Sequence, residues 1–328
     1  MSEALPSLSG AETPLIVRDD MQNLRAALDH HIPPKREPSP NLLIATWNIR
    51  EFSSLNETWD GSGRGPKRDW RALWAITEIV SRFDVIAIQE AGGDLKALRT
   101  MLKTLGSGWN FVMTDVTLGK AGGGERLAFL FDARRIQLSG LACELVVPPE
   151  WLKEGEQDAL RDQFARTPYA VGFRAGSTTF VLVTLHVKYG DVPTDRVAEV
   201  RGIARWMADW AKHTTDWDQN FIVLGDFNID RRDDPLFQAF ISQGLTVAQP
   251  LVDLPRSIFD KGPGPKNKYY DQIAWFTDDR RALLHMRLKN GGNFDFRPHV
   301  FTDADLSPVQ LSFRLSDHFP MWVEFDLG

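Results

Sequence analysis

Short apolar runs recur along this chain, and several stop at a polar residue able to bind a cation or move a proton. Leu42-Leu43-Ile44-Ala45-Thr46-Trp47 leads into Asn48, and Asp84-Val85-Ile86-Ala87-Ile88 leads into Gln89-Glu90. Phe180-Val181-Leu182-Val183-Thr184-Leu185 leads into His186, and Phe221-Ile222-Val223-Leu224 into Gly225-Asp226-Phe227-Asn228. Largely apolar runs of this length predict buried strands. Strands are also expected over 125–131, over 269–276 with Asp271 near its start, and over 321–325 after Ser316-Asp317-His318-Phe319-Pro320.

Helical spacing separates the strands. Trp70, Leu73, Trp74 and Thr77 share one helix face before Phe83. Leu95, Leu98, Leu102 and Leu105 share another, with Asp94 expected as its cap and Gly106 as its stop. A third helix is expected from Thr194, with Val197, Val200, Ala204, Met207 and Ala211 inward, and a fourth between Asp234-Pro235 and Gly244. Residues 1–40 are polar and proline-dotted, with a short helix expected from Asp20 to His30; they read as an arm, and 41–328 as a single domain. The charged stretch from Pro148 to Phe164 reads as a surface insertion.

The polar strand ends carry the candidate chemistry. Alternation along an extended chain points Asp226 and Asn228 to the same side, and a carboxylate beside a carboxamide suits a hard cation and a phosphate oxygen. Gly-Asp-x-Asn is also a good turn sequence, and a strand-end Asn, Glu or His taken alone is commonly a turn former or a hydrogen-bonded structural residue. Several such ends together are what a metal-assisted phosphate site requires.

As a set, Trp47-Asn48-Ile49-Arg50, Gln89-Glu90, Leu185-His186, Gly225-Asp226-Phe227-Asn228, Tyr270-Asp271 and Ser316-Asp317-His318 resemble the endonuclease/exonuclease/phosphatase superfamily, in its order. Glu125-Arg126-Leu127-Ala128-Phe129-Leu130-Phe131, Arg166-Thr167-Pro168 and Phe294-Asp295-Phe296 look like the deoxyribonuclease I branch. The resemblance implies an α/β four-layer sandwich, two packed, mainly antiparallel sheets flanked by helices. It implies a divalent-metal-dependent phosphodiester hydrolase, most simply a DNA endonuclease, using Mg²⁺ or Mn²⁺, with Ca²⁺ as a structural ion. Asn48 and Glu90 would hold the principal ion, with Asp226 and Asp317 in the metal and water network. Asp226 would orient or deprotonate the water, and Asn228 would bind the phosphate. His318 would pair with Asp271 and His186 with Glu125, so that each ring donates to the phosphate, and Arg166 would add a cationic fork.

The departures bear on substrate. After Gln89-Glu90 stand Ala91-Gly92-Gly93, where the deoxyribonuclease I branch has an arginine. Gly122-Gly123-Gly124 stands where it has a groove-packing tyrosine. Two basic loops, 63–68 and 261–268, are candidate replacements for phosphate steering. A phosphatase or phosphodiesterase acting on an inositol phosphate, phospholipid headgroup or nucleotide is the alternative, and a catalytically silent binding protein the third reading.

Composition narrows this further. A net charge of −6 argues against a sequence-blind basic nucleic-acid binder, though not against a cation-filled cleft. Cys143 is the single cysteine, so no intramolecular disulfide forms, unlike the secreted members of that branch. The start Met1-Ser2-Glu3-Ala4-Leu5-Pro6 shows no secretory pattern, and cytoplasmic residence is expected. Eleven tryptophans imply a well-filled core.

Overall fold

The computed structural model describes residues 5–37, 40–61, 66–116, 123–147, 149, 164, 166–187, 193–212, 220–262, 264, 267–278, 281–282 and 284–327. Its strands are β1 (Asn41–Phe52), β2 (Val85–Ala91), β3 (Trp109–Met113), β4 (Arg126–Asp132), β5 (Ile136–Glu144), β6 (Tyr169–Ala175) and β7 (Thr178–His186). They continue with β8 (Phe221–Asp226), β9 (Leu245–Val247), β10 (Asp271–Asp278), β11 (Arg281–Ala282), β12 (Arg287–Asn293) and β13 (Met321–Asp326). The helices are α1 (Leu15–His31), α2 (Trp70–Val80), α3 (Lys96–Leu105), α4 (Pro193–Lys212), α5 (Pro235–Ile241) and α6 (Pro308–Ser312).

Two sheets result. A six-stranded sheet runs β12-β13-β1-β2-β4-β3, and a seven-stranded one runs β11-β10-β8-β7-β6-β5 with β9 beside β10. The pairs β1/β2 and β7/β8 are parallel, and the other ladders are antiparallel. A parallel neighbour requires a crossover, which α2 supplies between β1 and β2 and α4 between β7 and β8. Alternation along β1 divides the layers. Leu42 and Ile44 join the core that contains β6, β7 and β8, whereas Leu43, Ala45 and Trp47 join the core under α1, α2 and α3. This is the expected sandwich of two sheets flanked by helices.

Helix boundaries shift where a cap was misread. Asp69 caps α2 by accepting the Ala72 N–H, and Asp234 caps α5 by accepting that of Phe237. Asp94 does not cap α3: its carboxylate accepts the Lys96 N–H, and Leu95 occupies the cap position without a side-chain bond. The first helix starts at Leu15, earlier than the expected Asp20. Its Met21, Leu24 and Leu28 are fully buried, which contributes roughly 5 kcal/mol or more. Asp20, buried, accepts from Arg71 Nε at 3.0 Å and from the Phe301 N–H at 2.7 Å, so α1 packs on the body. Most of the 148–164 stretch lies outside the described residues. Within the described residues, no helix is long and apolar enough to cross a membrane.

Candidate active site

The parallel register sets the site. Asn48 lies opposite Gln89 just before the register of β1 and β2 shifts near their C-terminal ends, and His186 lies opposite Asp226 where β7 and β8 end. The antiparallel start of β10 places Asp271 opposite Asp226 from the other side. Gly225 makes this possible. Its φ is +140°, and a Cβ there would sit 2.1 Å from the Leu185 carbonyl oxygen, so only glycine lets β8 approach β7 this closely.

Asn48 ties the two sheets together. Its buried Nδ2 donates to Glu90 Oε1 at 2.9 Å and to Asp226 Oδ2 at 3.0 Å, while its Oδ1 is buried with no hydrogen-bond partner. Glu90 has φ +62° and Glu51 φ +45°, conformations that cost side-chain-bearing residues energy and that cluster at functional sites. The Glu51 N–H donates to Glu90 Oε2 at 2.9 Å. Burial alone would raise the Glu90 carboxyl, but His186, the Glu51 N–H, Asn48 and His318 hold it below the ordinary carboxylate value.

Asp226 and Asn228 do not project together along a strand. β8 ends at Asp226, Asn228 has φ +50°, and Asp226 Oδ1 accepts the Asn228 N–H at 2.8 Å. The turn and the site therefore coexist, because the carboxylate spends one oxygen on the turn and presents the other to Asn48. The Asn228 side chain donates to the Val187 carbonyl at 2.6 Å.

The two imidazoles flank Asp226. His186 Nδ1 lies 3.1 Å from Glu125 Oε2, and His318 Nδ1 lies 2.6 Å from Asp271 Oδ2. Their Nε2 atoms lie 3.6 and 3.9 Å from Asp226 Oδ2. Burial opposes a charge on His318, yet Asp271, Asp226 and Asp317 hold its pKa well above the usual 6.5. Burial also pushes Asp271 up to about 6, against the pull of His318. Ser316 fixes this side: its Oγ donates to the Asn48 carbonyl at 2.5 Å and accepts the His318 N–H at 2.9 Å.

Arg166 grips Glu125, with Nε 2.9 Å from Oε2 and Nη2 3.2 Å from Oε1. The fork expected on the phosphate is therefore engaged behind His186. Asp317 stands at the rim, 29% exposed, with Arg50 Nη1 4.0 Å away. Among the described residues, no three His, Cys, Asp or Glu side chains form a ready metal cage.

The family model described as Endonuclease/Exonuclease/phosphatase family matches residues 45–318. The chain belongs to this family. Its members hydrolyse phosphoester bonds. A protein named deoxyribonuclease from Thioalkalivibrio sp. (strain K90mix) is 27% identical over 297 residues, covering 87% of this chain and 71% of that one. A mannosyl-6-phosphatase structure from Bacteroides thetaiotaomicron VPI-5482 superposes with TM-score 0.57 at 19% identity, covering 87% of this chain and 99% of the other. A D. rerio TDP2 structure complexed with a single-strand DNA product superposes with TM-score 0.55 at 15% identity, with the same coverages. These likenesses show the fold common to the endonuclease/exonuclease/phosphatase family.

Sequence reasoning passed over two supports of this cluster. Arg68, placed in a basic loop for phosphate steering, is 3% exposed and donates instead to the carbonyls of Arg50, Glu51, Arg314 and Leu315 at 2.7–3.0 Å. Gln89 Nε2 donates to Thr46 Oγ1 at 3.1 Å and Thr184 Oγ1 at 2.9 Å, a buried polar tie between the sheets beneath the site. Threonines interrupting both apolar runs were the available signal. Ala91 is buried in β2, so the missing arginine leaves Gly92 and Gly93 at the rim. Gly122 and residues 63–65, 263 and 265–266 lie outside the described residues.

Proposed function

We propose that this chain is a divalent-metal-dependent phosphodiesterase that cuts DNA internally. The observation that carries this reading is the Asn48 carboxamide bridging Glu90 and Asp226, with a carboxylate-backed imidazole on each side. The donor set fits a hard ion. The orphaned Asn48 Oδ1 and the Glu90 carboxylate, held ionised, are oxygen ligands of the kind Mg²⁺ or Mn²⁺ takes while keeping several waters. Asn48 and Glu90 would hold it, with Asp226 and Asp317 completing the network. When bound, the ion neutralises charge on the phosphoryl oxygens and eases departure of the leaving oxygen.

The chain's own residues do the rest. Asp226 orients the attacking water and takes its proton as the new oxygen–phosphorus bond forms and the ester bond breaks. His318, kept protonated by Asp271, donates Nε2–H to a phosphate oxygen, and His186, oriented by Glu125, meets the phosphate from the other side. Arg166 fixes Glu125 and so the His186 ring, and Asn228 closes the turn that aims Asp226. The deoxyribonuclease-named relative supports DNA as the substrate. The unpaired Cys143 supports a reducing, cytoplasmic setting. The glycines at 92–93 and 123–124 favour one second reading, a small phosphate ester, because they provide little duplex contact. Supercoiled plasmid incubated with Mg²⁺ or Mn²⁺ tests the proposal. Nicking that EDTA and His186→Ala both abolish is expected, whereas inert plasmid beside rapid hydrolysis of a small phosphate monoester would replace it with the second reading.

A further inference from the structure

Beside Glu90 lies a groove of about 490 Å³, a size that accommodates a small organic group. Phe313 lines it and remains 39% exposed, although covering the rest of such a ring is worth about 1 kcal/mol. The Arg50 guanidinium lies over this ring at 3.9 Å from its centre. Arg50 is itself held by Ser312 Oγ at 2.8 Å, so a fixed cation is stacked on the ring, and both side chains line the groove.

The rest of the lining says what fits there. Glu51, Glu90 and Glu125 border the groove and offset Arg50, Lys67 and Arg68, the last of these engaged by backbone carbonyls, so this is no basic trench for tracking phosphates. Gly93 and Gly124 also border it, and a Cβ on either would meet nothing within 4 Å. A flat, uncharged, polarisable group backed by an aromatic ring and a guanidinium matches these walls better than an anion does. We infer that the groove is a base-stacking subsite, in which Phe313 backed by Arg50 receives the base adjoining the scissile phosphate. A base must leave its duplex stack to enter, so the subsite selects single-stranded or locally unpaired DNA. This inference rests on the nuclease reading above and names the substrate form that this site takes.

The test measures Mg²⁺-supported cleavage of a short single-stranded oligodeoxynucleotide, and of copies in which one abasic residue is moved stepwise along it. Phe313→Ala is expected to raise KM by roughly ten-fold, and Phe313→Trp to restore it. Removing the base next to the cut should slow the wild type by a similar factor and leave Phe313→Ala unaffected, because both changes delete one contact. Gly93→Trp, which puts a bulky ring into the groove while leaving Phe313 and Arg50 in the sequence, should raise KM as well. Wild-type KM in both Phe313→Ala and Gly93→Trp, or abasic and Phe313→Ala effects that multiply, would overturn the inference and leave the nuclease reading intact. Failure of the wild type to cleave any of these strands would overturn that reading and the inference with it.

Discussion

Replacing Arg68 with alanine separates positioning of the site from mere support of the fold. Four carbonyls, on Arg50, Glu51, Arg314 and Leu315, lose their donor at once. An unsatisfied buried acceptor costs about 1–3 kcal/mol. Water reaches the exposed Glu51 side but not buried Leu315, so treating two of the four as rehydrated gives a loss of roughly 2–6 kcal/mol. Burial, which pushes the guanidinium down to about 10, is relieved in the variant and partly offsets this, so the net loss lies toward or below the lower end of that range. The second consequence is local. Without the clamp, Glu51 relaxes from φ +45° and withdraws the N–H that holds Glu90 Oε2. Loss of such a support to a metal ligand typically costs about 10–100-fold in affinity. Urea unfolding reads the first effect, and the Mg²⁺ concentration for half-maximal plasmid nicking reads the second, with Arg68→Lys intermediate in both. A destabilised Arg68→Ala protein with an unchanged Mg²⁺ requirement would refute the argument.

Three further outcomes follow from the geometry. Asp271→Asn should lower activity roughly 100-fold at neutral pH and move the alkaline limb of the pH–rate profile downward, since burial then depresses His318 against only the weaker pull of Asp226 and Asp317. The sign for stability is set by both groups. Asp271 (3.8 raised to about 6) and His318 (raised above 6.5) bind protons more tightly in the folded protein. Their contribution is fully present at low pH, falls across 3.8 to about 6 and falls again above 6.5 through the folded His318 value; unfolding titrations should show this decline flattened in Asp271→Asn. Gly225→Ala should lose about 3 kcal/mol or more by chemical denaturation and most of its activity, because β7 and β8 must part where His186 meets Asp226; near-normal values would contradict the close-approach argument. Asn48→Ala should fold yet cleave at least roughly 100-fold more slowly with weaker Mn²⁺ binding by calorimetry, and undiminished binding would remove Asn48 from the ligand set.

The buried strands were legible because a strand covered on both faces carries an uninterrupted apolar run, as 221–224 does in β8. Edge strands were not. β5 alternates exposed and half-buried residues around Ser139-Gly140, and β12 carries Lys289-Asn290-Gly291-Gly292, so neither shows an apolar signal. The polar strand ends were visible as residue types, but their convergence follows from long-range register, which local pattern does not encode. The same limit explains Arg68 and Arg166. Each looks like a surface cation in one dimension, and only the fold brings the carbonyls and the carboxylate that occupy them. The positive φ at Glu90 likewise has no signature in a glutamate flanked by Gln89 and Ala91.

The proposal stands or falls on Glu90. Phosphodiester hydrolysis followed against Mg²⁺ concentration, in parallel for wild type and Glu90→Gln, should show saturable activity in the first. In the second, the rate should be at least roughly 100-fold lower, with the midpoint moved to higher Mg²⁺. Equal rates with the same Mg²⁺ dependence in both proteins would show that the cation and the ester meet somewhere other than the Asn48–Glu90–Asp226 bridge.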